Sequence, residues 1–125
     1  MLHAVAEPFS QLSSWTATVV IYLLALGVEF LIPSGSAKAF LMMPIVLPLA
    51  DLIGITRQTA VLAYIFGDGF SNLAYPTNPV LLISLGLTVV SFPKWIRWTA
   101  KLWLWVFLAT LVFLGIAVAI NYGPF

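Results

Sequence analysis

The stretch "FLIPSGSAKAFLMMP", Phe30 to Pro44, interrupts an apolar run with a proline, a glycine, two serines and a lysine. A helix that stops frees up to four N–H or C=O groups at its end. In lipid each of those groups is costly unless something pairs with it. Lipid is the solvent this chain suits: 62% of its 125 residues are hydrophobic and 7% are charged, against roughly 25% charged in soluble domains. The fold is therefore an all-α integral membrane one, and any account of it must say what uses the freed backbone.

The first apolar segment, Trp15 to Ile32, reaches roughly 27 Å as a helix, about one hydrocarbon thickness. Gln11, Ser14, Thr18, Tyr22 and Glu29, with small Ala25, recur every three or four positions and share one face. In a membrane such a stripe faces protein or a wet cavity. Beyond Pro33 to Lys38, the piece Ala39 to Ala50 holds Pro44 and Pro48 and reaches only roughly 18 Å. Joined straight, the two arms would exceed ~45 Å, so the chain must turn back at PSGSAK. This predicts a helical hairpin over 15–50 with its tip at 33–38, and the short second arm favours a re-entrant hairpin. "DLIGITRQ", Asp51 to Gln58, reads as a surface turn with Asp51 and Arg57 solvated.

The break then recurs. Thr59 to Gly67 and Pro79 to Val90 are half-length helices of roughly 14 and 18 Å. They flank "DGFSNLAYPTN", 68–78, a run of turn formers. Their lengths sum to about one bilayer, which predicts one broken transmembrane helix over 59–90 with its break near the midplane. Irregular backbone at that depth survives only when buried in protein or lining water. "SFPKWIRWTAK", 91–101, carries three of the five basic residues and two tryptophans, and reads as a cytoplasmic interfacial segment. The apolar run 102–120 predicts a continuous transmembrane helix. Working back from the basic cluster, both termini face outside. No Lys or Arg precedes the first apolar run, so there is no secretory n-region. An external N-terminus of that kind is natural where upstream helices are missing.

Helix N-termini suit carboxylates, and C-terminal carbonyls suit cations. At the first break Ser34, Gly35 and Ser36 offer hydroxyls and close backbone approach. At the second, Ser71, Asn72, Thr77 and Asn78 add amides and hydroxyls. Two facing breaks would form a ligand cage of the kind secondary transporters use. The bland alternative is a pair of surface turns with hydroxyls bonded back to their own helices. Glu29 reads as a proton or cation coupler, a contact for a substrate ammonium, or a partner for Lys38. Lys38 either holds a carboxylate, pairs with Glu29 or snorkels. Asp68 with neighbouring carbonyls is the candidate cation position, H+ and Na+ both being compatible.

Other chemistries find no residues. There is no cysteine, and the lone histidine, His3, sits near the terminus, so neither thiolate chemistry nor a metal cluster is expected. No His–carboxylate pair, nucleophile elbow or phosphate loop is present. The chain reads as no enzyme and needs no cofactor. No basic run interleaved with aromatics points to nucleic acid.

The sequence "PSGSAKAFLMMPIVLPLADLIGITRQTAVLAYIFGDGFSNLAYPTNPVLLISLGL" resembles the C-terminal part of YfcC-type carriers, relatives of the DcuC C4-dicarboxylate carriers in the ion transporter superfamily. The resemblance is clearest from Ile32 to roughly Thr99. It implies an inverted-repeat transporter in which each repeat holds a re-entrant hairpin and a broken helix, with substrate and ion between their tips and an elevator motion. Ser34-Gly35-Ser36 would be one tip, and Ser71-Asn72 with Thr77-Asn78 the other. The hairpin reads Ser-Gly-Ser where the superfamily pattern is Ser-Asn-Thr-like.

It further implies that this chain is about the last quarter of such a carrier, a truncated or split product of a bacterial inner-membrane protein. Alone it is not expected to transport, and its partners would be lipid, a first repeat or a second copy, and a small carboxylate or amino acid. The rival from another class is a small structural or assembly membrane protein with no transported solute.

Overall fold

The computed structural model describes residues 13–124. Gln11, His3 and the N-terminal end, on which three of the expectations above fall, lie outside the described residues. Five helices occur among the described residues, and no strand does: α1 (Ser14–Leu31), α2 (Gly35–Ile53), α3 (Arg57–Ser71), α4 (Pro79–Gly86) and α5 (Phe92–Ala119). α1, α2 and α5 are each long and apolar enough to cross a membrane.

Each boundary has a local cause. Ser13 caps α1 by accepting from the Thr16 N–H, and Pro33 cannot extend the helix beyond Ile32, whose N–H closes on the Val28 carbonyl at 2.8 Å. α2 restarts at once, with Ser34 extended at its N-cap. It ends at Gly54, in the left-handed region at φ 80°, a conformation that glycine adopts without a Cβ penalty. Thr56 then caps α3 by accepting from the Thr59 N–H. Asn78 caps α4, with Pro79 in its first turn.

Four elements differ from those the sequence predicts, and one of them, α4, ends at Gly86 rather than Val90. α2 begins at Gly35 and runs through both Pro44 and Pro48 to Ile53, so it reaches roughly 28 Å rather than 18. Each proline removes one N–H donor, but ending the helix would free several more backbone groups, the greater cost in an apolar medium. The second arm is therefore long enough to cross the membrane, and its length does not favour re-entrance. α3 continues to Ser71, so Asp68 sits inside a helix and the second interruption is 72–78. Residues 92–101 form no separate segment; they are the first turns of α5. At 28 residues, roughly 42 Å, α5 outruns the hydrocarbon core, so its exposed Lys94, Arg97 and Lys101 can lie beyond it.

The core forms where α1 packs on α3, the most extensive helix pair, with α2 against α3 and α5 against both α1 and α3. Ile21, Tyr22, Ala25, Val46, Ala60, Tyr64 and Leu114 meet there. Small residues let α1 and α3 approach closely: a Cβ on Gly67 would stand 2.6 Å from the Ala25 Cβ. Opposite the core, Leu31, Phe40, Trp98 and Trp105 are exposed, as a lipid- or partner-facing surface requires. The C-terminal turn folds back onto α3, where the Thr56 hydroxyl donates to the Tyr122 carbonyl at 2.5 Å.

Candidate functional site

The two interruptions are neighbours. Phe30, at the end of α1, meets Tyr75 of the second break edge to face, ring centroids 5.6 Å apart. Between them α1 contributes Glu29, α2 contributes Gly35 and Lys38, and α3 contributes Tyr64 and Asp68. Lys38 is fully buried and Glu29 is 1% exposed. The Lys38 ammonium donates to Glu29 Oε2 and stands 2.7 Å from Asp68 Oδ1. It also lies over the Tyr64 ring, 5.6 Å from its centroid, a position favoured by the ring quadrupole.

Backbone and side chains lock this junction. The Tyr64 hydroxyl donates to the Gly35 carbonyl at 2.6 Å, tying α3 to the first turn of α2. Gly35 lies against the Asp68 carboxylate, so close that a Cβ there would stand 3.0 Å from Oδ2. The hairpin tip thus needs glycine for its approach to a charge, not for a turn.

Beyond Asp68 a run of polar side chains closes the end of α3. The Ser71 hydroxyl donates to the Gly67 carbonyl at 2.6 Å, and Asn72 Nδ2 donates to the Asp68 carbonyl at 2.9 Å. Asn78 Nδ2 donates to Asn72 Oδ1 at 2.6 Å, while Asn78 Oδ1 accepts from the N–H groups of Val80 and Leu81. Asn78 therefore joins the two halves of the broken helix. Replacing it with alanine is expected to cost about 1 kcal/mol, the usual value of such a cap, read as a lowered thermal midpoint in detergent.

Of the residues singled out from sequence, Glu29, Gly35, Lys38 and Asp68 come together in one cluster, and Ser71, Asn72 and Asn78 continue from it. Thr77 Oγ1 is buried without a hydrogen-bond partner. Ser34 and Ser36 are exposed; Ser34 makes no side-chain cap bond, and Ser36 faces an open groove on α2 with Phe40 and Pro44. Asp51 and Arg57 form a two-pronged exposed pair at 2.7 and 2.8 Å. Sequence reasoning missed Tyr64, which lies four residues before Asp68 and so on the same helix face, and missed the second arm of the Lys38 pairing.

Two cavities flank the junction. The larger, ≈ 700 Å³, follows the proline-bearing face of α2 and is lined mostly by apolar groups such as Phe40, Met43 and Leu47. The other, ≈ 520 Å³, is also mostly apolar, with Leu81 and Trp95 beside Asn72, Asn78, Ser84 and Thr88. Of the two, the second brings side-chain amides to a ligand-sized space.

Apolar spanning helices around sequestered charge define an integral membrane protein whose polar groups serve something other than the lipid. The sequence profile of the DcuC family, C4-dicarboxylate anaerobic carrier, matches residues 1–119. The chain belongs to that family, which is one of membrane carriers and not of enzymes. It is 40% identical over 102 residues, 82% of its length, to a protein of Escherichia coli (strain K12) named "Putative basic amino acid antiporter YfcC", and covers 20% of that protein. It is 37% identical over 67 residues, 54% of its length, to an uncharacterized protein of Haemophilus influenzae (strain ATCC 51907 / DSM 11121 / KW20 / Rd), covering 13% of it. The chain thus spans about a fifth or less of the relatives it matches. No solved structure is significantly similar to it.

Proposed function

We propose that this chain is the C-terminal portion or subunit of a secondary active transporter in a bacterial inner membrane, moving small carboxylate or amino-acid substrates. The observation that carries the reading is the meeting of two helix interruptions around one buried charge cluster. Neither interruption pays for itself in lipid unless its polar groups are used. In this reading α1 and α2 are the hairpin of one inverted repeat, α3 and α4 the broken helix, and residues 91–101 lie on the cytoplasmic side with both termini outside. A first repeat or a second copy completes the site, and the chain alone does not transport.

Charge bears on the substrate. Lys38 is already matched by two carboxylates, so it has nothing to spare for a substrate carboxylate. A ligand carrying an amine suits Glu29 and Asp68 better, and the amides of Asn72 and Asn78 suit its polar remainder. This agrees with the name of the Escherichia coli relative more than with that of the family.

Cysteine accessibility tests it. The chain has no native cysteine, and Ser34→Cys and Leu73→Cys flank the junction without entering it. Both positions are exposed in the chain by itself; in membrane vesicles holding the completed carrier both are expected to react slowly with a water-soluble maleimide and to be protected by lysine or arginine, less so by succinate. Rapid labelling from one aqueous face, unprotected by any of the three, would favour surface turns and defeat the proposal.

A further inference from the structure

The junction holds two acids and one base, a formal charge of −1 among groups sealed from water on the Glu29–Lys38 side. Asp68 is 23% exposed. Glu29 Oε1 and Asp68 Oδ1 are both buried without a hydrogen-bond donor; the Lys38 ammonium approaches Oδ1 but outside hydrogen-bond geometry. Both carboxylates crowd the single ammonium of Lys38. Ionised carboxylates only accept hydrogen bonds and repel each other, so two of them around one buried cation favour holding a proton.

The other groups facing Glu29 do not remove the charge. Lys38 comes from α2, Tyr64 and Asp68 from α3, and Tyr75 from the second break; α5 carries its basic residues at its exposed start. Of these only Lys38 is cationic, and the Tyr64 hydroxyl is committed to Gly35. A sodium ion would need several oxygens. Besides the two orphaned carboxylate oxygens, the neutral oxygens around them each already accept a hydrogen bond: the Gly35 carbonyl from Tyr64, the Gly67 and Asp68 carbonyls from Ser71 and Asn72, and Asn72 Oδ1 from Asn78.

We propose that Glu29 and Asp68 hold one exchangeable proton between them, beside Lys38. The proton resides on Glu29, the more deeply buried acid, and is donated to Asp68, whose charge Lys38 then balances. Both orphaned oxygens gain a partner and the cluster becomes neutral. In the carrier described above, on which this role rests, it is the coupling proton, released when water or a ligand amine reaches the partly exposed Asp68.

The test uses the 125-residue chain in phospholipid nanodiscs, by infrared difference spectroscopy between about pH 5 and about pH 9, with helicity checked by circular dichroism. A protonated-carboxyl band is expected to persist at about pH 7, where a solvated glutamic acid, pKa about 4.3, has lost its proton. Glu29→Gln removes the band, Asp51→Asn leaves it, and exchanging choline for sodium does not change it. Where Glu29→Gln fails to fold, Glu29→Asp decides, and the midpoint of its band must shift. A helical wild type with no band near neutrality, a band that survives Glu29→Gln, an unmoved midpoint in Glu29→Asp, or displacement by sodium would each overturn the proposal. The readout needs no solute. A band without ligand protection at Ser34 and Leu73 sinks the carrier reading alone, and protection without a band sinks the shared proton alone.

Discussion

Lys38→Met is expected to destabilise the folded chain by about 3–5 kcal/mol, the usual cost of removing one partner from a buried ion pair. Methionine fills the space of the lysine stem, so the loss is electrical more than steric. What remains is two carboxyl groups sharing one proton, Glu29 only 1% exposed, with their negative charge facing no cation among the described neighbours. The double variant Lys38→Met/Asp68→Asn is expected to recover most of the loss, because Glu29 then keeps the proton and no net charge is left in the junction. Denaturant titration of helicity in nanodiscs reads both. If the single variant were as stable as the parent, Lys38 would not be the group that holds the junction together.

The second large effect belongs to Gly67. Its missing Cβ is what lets α1 approach α3: an added one would stand 2.6 Å from the Ala25 Cβ and 2.9 Å from the Tyr22 carbonyl oxygen. Neither neighbour is the far end of a flexible side chain, so relief requires the helices to part along their most extensive contact. Gly67→Leu is expected to cost about 3 kcal/mol, the upper end for overpacking a tight core, with Gly67→Ala smaller and of the same sign. Gly27 and Gly69, also helical, have open space where a Cβ would go. Alanine at either is expected to be neutral or to stabilise by up to about 1 kcal/mol through helix propensity. Thermal melting of the set in one detergent separates packing from propensity, and equal behaviour of all three glycines would remove the close-approach argument.

Much of this fold is legible in the sequence, because apolar length and interruption follow directly from the cost of exposing backbone to lipid. Pro33 and Asn78-Pro79 mark true helix boundaries. Pro44 and Pro48 look alike on paper yet stop nothing, since a helix in apolar surroundings loses less by skipping one bond than by ending. Asp68 and Gly69 read as the start of a loop, but the helix carries on through them. Ser71 and Asn72 bond back to its last carbonyls, which extends order past the weak formers. At the site, the pairing of Glu29 with Lys38 was within reach of the sequence, as charges on either side of one tight turn. The Lys38 contact to Asp68 was not, because it joins residues thirty positions apart through the packing of α2 on α3. Ser34 and Ser36 stand at the turn between α1 and α2 and are exposed there, outside the Lys38 cluster.

The central claim is that the hairpin tip and the end of the broken helix's first half touch at the charge cluster. Gly35→Cys/Asp68→Cys tests it most directly. The Cβ position of residue 35 lies 3.5 Å from the Asp68 Cγ, within reach of a disulfide, and Lys38 keeps Glu29 as its partner in this variant. With no native cysteine to interfere, mild oxidation in membranes is expected to give an intramolecular bond, seen as thiols lost to alkylation and restored by reductant. The exposed single variant Asp51→Cys, read as a mixed disulfide with added glutathione, serves as the control for the oxidant. If that thiol is oxidised while positions 35 and 68 remain freely alkylated, the two interruptions do not meet.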